Sequence, residues 1–303
     1  MQRKVIKQSQ TTLGITLPSK WAKKWYLKKG DTLNIEDNEG VLEIRPENFS
    51  IPEKKAEFDA HLYPGVSKIV FNNLSKRGYD QIKVFYKDEK EIEPIKQTLQ
   101  YEATMFEIIK KEDWYITAKA ISEANISEIK IMMNRVIMLL IEKINKFEEY
   151  LKTENHALLK DILELERSNT KQAHICMRAI HKHPQEVGSY MRYIFFWHIK
   201  QLGYAFRMFA RLGPKNIRPE TKKVLSEVFE NIRMITDIYF RYSPQKASEL
   251  FQRKVKSEKD CMKLLKSKNN VEDHPLLHLA LSMTEKTYYI LFVIFAFQKL
   301  DVV

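Results

Sequence analysis

From about residue 125 to the end of the chain, apolar side chains recur every three to four residues, the period of an amphipathic α-helix. Short segments rich in Pro, Gly, Asn and Asp interrupt this pattern, as turns do. The pattern predicts six long helices, at roughly 125–152, 155–183, 186–212, 219–242, 244–268 and 275–300. With 8 glycines and 10 prolines in 303 residues, the chain is expected to be mainly helical.

The six predicted helices divide into two sets of three, with a repeat near 92 residues. At this offset Leu158 aligns with Leu250, for example. Repeated supersecondary units usually stack on one another to bury a shared core. We therefore expect two tandem three-helix units, residues 125–213 and residues 214–303.

Residues 1–46 have a different period. Four short runs, KVIK, LGITL, TLNIE and VLEIR, alternate between apolar and polar residues, as half-buried β-strands do. Pro18 and Ser19 begin a short helix, SKWAKKWYL, and Gly40 completes the hairpin loop DNEG. Because four strands and one short helix bury too little surface to be stable alone, a dimer is expected.

The segment between these two parts is expected to hold a linker and a small folded unit. Residues 47–64 contain Pro52 and Pro64 and show little periodicity, which predicts a linker or an irregular connection. Residues 65–124 predict a small α+β unit: a helix, a strand, a second helix and a two-stranded hairpin. No group of reactive side chains falls in this unit, so a structural role is predicted for it.

Positive charge is concentrated at the N-terminus. The net charge is +12, and residues 1–30 carry eight basic side chains and no Asp or Glu. Such a patch attracts polyanions, either nucleic acid or an anionic membrane surface. Trp21 and Trp25 are four residues apart on one helix face, so they are expected to pack in a core rather than to stack on bases.

Three marks follow one another in GITLPSKWAKKWYLKKGDTLNI: a strand that ends at a leucine–proline step, a short helix with tryptophans, and a KKGD turn before the next strand. With RKV before it and VLEIRP after it, this segment of residues 2–46 resembles the SpoVT/AbrB-type swapped-hairpin DNA-binding domain of transition-state regulators and antitoxins. The resemblance implies a homodimer with interleaved hairpins, which presents a basic face to the major groove of double-stranded DNA.

The same resemblance suggests which side chains contact DNA. The candidate DNA-binding residues are Arg3, Lys4, Lys7, Lys20, Lys23 and Lys24. The first three extend from the first strand as candidate base contacts, and the three helix lysines would contact phosphates. Arginine suits two-pronged recognition, whereas lysine acts as a point charge. The alternative for the lysines is a solvated helix face.

Over nearly its full length the chain resembles the archaeal PhoU-type phosphate uptake regulators, through the swapped-hairpin domain, the α+β unit with its RGYDQIKV segment, and the two three-helix repeats. This implies a transcription regulator of phosphate uptake, with the helices as a PhoU-like sensor or docking module. The alternative is a protein-interaction regulator: the bundle binds a phosphate transporter ATPase or a histidine kinase, and the N-terminal domain only dimerises.

The PhoU resemblance also implies metal-binding carboxylates in both repeats. The matching positions in this sequence are Glu166, Asn169, Glu258 and Glu285. Cys261 stands where the second asparagine would fall, and the third-helix run KQLGY keeps Gly203 but neither carboxylate. A hard cation needs several oxygen ligands, about six or more for calcium. We therefore expect no metal cofactor.

The remaining motifs argue against catalysis. The sequence contains no phosphate-binding glycine loop, GxSxG or HExxH motif, and no enzymatic activity is expected. His174 and His181 lie seven residues apart on one helix, but no carboxylate completes a metal site with them. They are expected to occupy a helix surface or an interface.

Cysteine spacing and hydropathy predict a cytoplasmic protein without membrane insertion. Cys176 and Cys261 have no CxxC spacing and are expected to be free core thiols of a reducing compartment. No signal peptide is visible. The most apolar run, residues 288–297, has about half the length that spans a bilayer.

Overall fold

The computed structural model describes residues 2–38, 40–47, 53–122, 128–183 and 188–297. The chain divides into two compact units, Met1–Pro52 and Glu53–Val303. The first contains short β-strands and one short helix, and the second is mostly helical. The predicted fold class, mainly α with an N-terminal β region, is confirmed.

The N-terminal unit contains two antiparallel strand pairs and a helix. Its elements are β1 (Ile6–Lys7), β2 (Leu13–Gly14), α1 (Ser19–Lys24), β3 (Leu33–Asn38) and β4 (Val41–Pro46). β1 pairs with β2, and β3 pairs with β4. Pro18 precedes α1 in an extended conformation, and Gly40 has a φ of +94° beside the start of β4. These are the four strands and the helix that the sequence period predicts.

This unit has almost no interior of its own. Among its described residues only Pro46 is buried, and α1 has no buried residue. Leu13, Ile35 and Leu42 are 70%, 62% and 61% exposed. Since apolar side chains on strands normally cover a core, one copy of the unit leaves its apolar faces open.

The second unit begins with a four-stranded sheet and two helices. Its elements are β5 (Lys55–Asp59), a 3₁₀ turn (Ala60–Leu62), α2 (Ser67–Lys76), β6 (Gln81–Phe85), α3 (Glu89–Tyr101), β7 (Phe106–Glu112) and β8 (Tyr115–Ala120). The strand order is β5-β6-β8-β7. β5 is parallel to β6, and the other pairs are antiparallel. Phe71, Ile82, Ile92 and Ile116 are fully buried in the core of this layer.

Strand β5 lies inside residues 47–64, for which a linker is predicted, and that prediction is wrong from residue 55 onward. β5 is held by parallel pairing with β6, and the backbone N–H of Lys54 donates to the Asp80 carboxylate at 2.9 Å. Parallel strands pair across a crossover, which here is α2. A pairing partner so distant in sequence leaves only a weak signal in the local pattern.

Six helices complete the second unit. They are α4 (Ile129–Thr153), α5 (Ala157–Lys182), α6 (Ser189–Leu212), α7 (Pro219–Phe240), α8 (Pro244–Leu265) and α9 (His274–Phe297), with a 3₁₀ segment (Lys268–Asp273) before α9. Pro219 and Pro244 stand in the first turns of α7 and α8, where a missing N–H costs nothing. Ser243 caps α8 by accepting from the N–H of Lys246. The six helices agree with those predicted from the period.

The two sets of three helices share one core. α4 packs on α7, and α6 packs on α9. The ring of Phe147 lies in the shared core, with its centroid 5.3, 4.6 and 5.8 Å from those of Phe206, Phe209 and Phe229. Neither set of helices is therefore packed as a separate body.

One described helical stretch, Val271–Ala296, is long and apolar enough to cross a membrane by length and composition, and half of its apolar window is buried inside the protein.

Cys176 and Cys261 are both buried and free. Burial raises the pKa of each thiol to about 12. Both cysteines are thus unreactive at neutral pH.

Candidate functional site

The residues predicted to bind DNA all lie on the N-terminal unit. We call them the basic surface: Arg3, Lys4, Lys7, Lys20, Lys23 and Lys24. All six are exposed. Arg3 and Lys4 precede β1, Lys7 ends it, and the other three lie on α1. Within the described part of the chain, no carboxylate forms an ion pair with any of them.

The local structure of α1 keeps its lysines free of acidic partners. Its last turn carries Lys23 and Lys24, and its first turn has no acidic residue. The first acidic residue of the chain, Asp31, is used inside the KKGD turn, where its carboxylate accepts from the N–H of Lys28 at 2.7 Å. Gly30 gives this turn its φ of +96°. The carboxylate therefore stabilises the turn that starts β3.

The two tryptophans of this segment are half-buried. The ammonium of Lys24 lies 5.5 Å from the centroid of the Trp25 ring, and Tyr26 is 85% exposed just after the helix. Other residues of the same chain thus bury Trp21 and Trp25 only in part. Their predicted packing role stays a prediction.

Glu166, one of the two first-repeat positions for which the PhoU resemblance implies a metal ligand, forms a buried ion pair instead. Glu166 on α5 is buried, and its carboxylate lies 2.6 Å from the ammonium of Lys143 on α4, which is fully buried. The hydroxyl of Thr170 donates to the same carboxylate at 3.1 Å. Gly203 on α6 approaches so closely that a Cβ there would overlap this carboxylate. Lys143, Thr170 and Gly203 thus occupy the space on this side of the carboxylate.

Among the described residues, the partners of Glu166 are Lys143 and Thr170, and none of the other three predicted metal ligands bonds to it. Asn169 is buried near it, and no described residue hydrogen-bonds its amide group. Glu258 pairs with Lys254 on its own helix at 2.9 Å, and Glu285 accepts from the hydroxyl of Tyr289 at 2.8 Å. Across the described ranges, no group of three or more His, Cys, Asp or Glu could hold a metal ion. These side chains do not fit a multinuclear metal site, because the buried carboxylate faces an ammonium.

A second buried charged group lies where α2 and α3 meet α5 and α6. We call it the interface cluster: Lys76, Glu102, His174 and Lys200. The ammonium of Lys200 contacts Nε2 of His174, and Glu102 lies 3.7 Å from that nitrogen. Lys76 is 5% exposed, and its ammonium lies 5.6 Å from the Trp197 ring centroid. Three cationic or basic groups thus surround one carboxylate.

Burial shifts the protonation of the interface cluster. It lowers the pKa of His174 well below its usual value, and the charges of Lys200 and Lys76 lower it further. Burial, helped by Lys76, also lowers the pKa of Lys200 to about 8. The pKa of Lys76 is lowered by burial too, although Glu102 opposes that shift. His174 is therefore neutral at pH 7, and it accepts a hydrogen bond from Lys200 at Nε2.

A third charged group joins the sheet layer to the bundle. The guanidinium of Arg178 on α5 donates to the carbonyl oxygens of Ser75 and Tyr79 at 3.0 and 2.6 Å and contacts the Asp80 carboxylate. Lys182 donates to the same carboxylate at 2.8 Å. Although burial alone would raise the pKa of Asp80, these partners lower it. The RGYDQIKV segment therefore has a structural role, because its Tyr79 and Asp80 bind α5 of the helical bundle.

Comparisons with known proteins identify the N-terminal segment. Residues 7–51 match the MazE antitoxin family, described as antidote-toxin recognition MazE, bacterial antitoxin. The N-terminal unit is a MazE/AbrB-like domain. The predicted resemblance of this segment to an AbrB-type domain of regulators and antitoxins is thus confirmed.

The comparisons add little for the helical part. No curated protein matches the sequence. One solved structure, the phosphate transport system regulatory protein PhoU from Streptococcus pneumoniae, is similar at 10% identity over 59% of this chain and 97% of that chain, with a TM-score of 0.46. That protein belongs to the family that the helical segments resemble in sequence. At this identity and TM-score, the likeness transfers no residue role.

Two of the three buried charged groups differ in the signal that they leave in the sequence. Lys143 stands between Leu140 and Phe147 on the apolar face of α4, and a lysine at a core position was a usable signal. The interface cluster comes from residues 76, 102, 174 and 200. No local pattern brings these together, so only the packing of four helices reveals the group.

Proposed function

We propose that the protein is a homodimeric, DNA-binding transcription regulator whose MazE/AbrB-like domain contacts double-stranded DNA. The observation that carries this proposal is the basic surface, whose six exposed cations have no carboxylate partner in the described residues. Cations held free on folded elements bind a polyanion by releasing its counterions. A DNA duplex is such a polyanion, with regularly spaced phosphates.

The basic surface divides into two groups with different proposed roles. Arg3, Lys4 and Lys7 lie in and before β1, and we assign base or phosphate contacts to them. Among these, Arg3 suits base recognition, because its guanidinium can donate two parallel hydrogen bonds. The lysines of α1 have one charge each at the end of a flexible stem, which suits contact with phosphates. The strand segment would therefore recognise the base sequence, and the helix would bind the phosphate backbone.

A second copy of the chain is proposed to complete the N-terminal unit. The exposed Leu13, Ile35 and Leu42 give each copy an open apolar face, and burying such faces is the main favourable term in association. Interleaved hairpins would cover both faces at once. They would also bring two basic surfaces onto one duplex.

The regulated process that we propose is phosphate uptake, in the cytoplasm, with the helical unit as sensor or docking module. This part rests on the sequence resemblance to PhoU-type regulators, and function inferred from resemblance is an analogy until tested. Neither a metal cofactor nor catalysis is part of the proposal. Glu166, the buried carboxylate at a metal-ligand position, is already bound by Lys143.

Genome-wide mapping of occupied sites in phosphate-replete and phosphate-starved cells tests this function. We expect occupancy near phosphate transporter genes that changes with phosphate supply, and loss of these sites in a variant with Arg3→Ala, Lys4→Ala and Lys7→Ala. Occupancy without preferred sites would contradict a specific regulator. Sites that ignore phosphate supply would contradict the proposed process.

A protein-interaction regulator is the second candidate function. It is favoured by exposed apolar side chains on α8 and α9, among them Phe251, Val255 and Phe292 at 46%, 49% and 57% exposure. A phosphate transporter ATPase or a histidine kinase would be the partner, and the N-terminal domain would only dimerise. In that case duplex DNA would not bind at physiological salt.

A further inference from the structure

A cavity of about 310 Å³ opens between α2, α3, α5 and α6. Four cationic side chains line it: Lys68, Arg167, Arg207 and Arg211. Glu102 and Glu166 line it as well. Its volume is at the lower end of the range for small-molecule sites.

Both carboxylates of the cavity wall are already engaged. Glu166 is paired with the buried ammonium of Lys143. Glu102 accepts from the amide of Asn72 at 3.1 Å and lies near His174. No carboxylate in the described ranges forms an ion pair with the three arginines of the wall. The positive charge of the wall is therefore not neutralised by the protein.

The interface cluster adds to this excess of positive charge. Lys200 interacts electrostatically with Arg207, Glu102 and Glu166, three residues of the cavity wall. Behind the wall, Lys76 and Lys200 are two further buried or half-buried ammonium groups. Wall and cluster together place six cationic side chains against Glu102, because Lys143 already offsets Glu166.

Unsatisfied donors point the same way. Nε of Arg207 is buried without a hydrogen-bond partner among the described residues, and so is Nδ1 of His174. Since His174 is neutral and accepts at Nε2, its Nδ1 carries the proton and is a donor. Buried donors without acceptors are rare in folded proteins. Arg207 lines the cavity, whereas His174 is not among its lining residues, so an acceptor-rich, negatively charged ligand in the cavity would satisfy the donor of Arg207.

We propose that this cavity binds a small oxyanion with two or more negative charges, either free inorganic phosphate or the phosphate group of a small metabolite. The guanidinium groups of Arg167 and Arg207 match such a group, because each can donate two parallel hydrogen bonds to its oxygens. Thr98 and Thr170 also line the wall, but their hydroxyls already donate to the Pro94 carbonyl and to Glu166, so the arginines are the donors for the anion. The site joins α2 and α3 to the bundle, and it does not depend on DNA binding.

Calorimetric titration of the full-length protein tests the site directly. Inorganic phosphate, sulfate and ribose 5-phosphate are titrated separately at constant ionic strength. We expect saturable binding, and the anion that binds most tightly distinguishes a free anion from a phosphorylated metabolite. Arg167→Gln and Arg207→Gln should each weaken affinity about tenfold, as the loss of a charge-assisted hydrogen bond does. Arg253→Gln on α8 makes the same charge change away from the cavity and should alter affinity less than about twofold.

A stability measurement guards against misfolded variants. Lys200→Met removes a poorly compensated charge, so it should raise the Tm without anion and reduce the increase in Tm that phosphate causes. Absence of saturable binding by all three anions up to about 10 mM would overturn the proposal. Equal weakening by Arg253→Gln and Arg207→Gln would also overturn it, because binding would then follow overall charge.

Discussion

Glu166 shows how one buried residue at a metal-ligand position can take another role. Its carboxylate is 2.6 Å from the ammonium of Lys143, so the compensating charge comes from a side chain. Gly203 leaves the room that this carboxylate occupies. An unpaired charge in this interior would be costly, and each partner therefore depends on the other.

Removing Lys143 should destabilise the helical unit far more than removing a neighbouring half-buried lysine. We expect Lys143→Met to cost about 3–5 kcal/mol, because it leaves a buried carboxylate without a charged partner. Lys146→Met is the matched control on α4: it loses a partly exposed pair with Asp161 and should cost less than about 1 kcal/mol. Urea denaturation followed by circular dichroism measures both. Equal losses would contradict the assignment.

His174 should make the stability of the helical unit depend on pH in mild acid. Its pKa in the folded protein is well below the usual value, so the unfolded state binds the proton first as pH falls below about 6.5. Stability should then fall with pH by up to about 1.4 kcal/mol per unit. The groups that face this ring are Lys200, Lys76 and Glu102.

Substitution of His174 separates this effect from other titrations. His174→Gln should reduce the dependence of urea midpoints on pH between about 5 and 6.5. Lys200, with a pKa of about 8 in the folded state, should make stability rise between about pH 8 and 10 in both proteins, because the unfolded state there binds more protons. An unchanged acid dependence in the variant would show that other groups cause it.

At the scale of elements, strongly periodic segments were predictable and long-range pairings were not. α4 to α9 follow the 3.6-residue period, and β1 to β4 follow the period of two, so local pattern found them all. β5 was not predicted, because its pairing partner β6 follows only after an intervening helix. The basic surface was found from charge, whereas the interface cluster forms only when α2, α3, α5 and α6 pack together.

The short strands of the MazE/AbrB-like domain should depend on a second copy. We expect Leu13→Asp to prevent dimerisation, because it places a charge on the apolar face that the partner would cover. Thr12→Asp changes the adjacent exposed residue and should leave the dimer intact. Light scattering after size-exclusion chromatography distinguishes a 36.0 kDa monomer from a dimer. A dimeric Leu13→Asp variant would contradict the interleaved arrangement.

At the scale of the whole molecule, charge and core are divided between the two units. The N-terminal unit has eight basic residues before its first carboxylate and almost no buried side chain. The helical unit has an extended shared core and many paired charges. This division is expected if the N-terminal unit binds a polyanion and the helical unit acts as the sensor or docking module.

The salt dependence of DNA binding tests the central claim most directly. Anisotropy of a labelled duplex is measured at several salt concentrations for the wild type and for a variant with Lys20→Gln, Lys23→Gln and Lys24→Gln. The matched control carries Lys259→Gln, Lys263→Gln and Lys266→Gln, three exposed residues on or next to α8. This control variant has the same net charge as the α1 variant, because each replaces three lysines by glutamine.

A dimer that contacts about six phosphates should give a slope near −5 in a plot of log affinity against log salt concentration. The α1 variant should lose most of that slope, and the control should keep it. A flat response of the wild-type protein, or an equal loss of slope in the variant and the control, would contradict DNA binding by the basic surface.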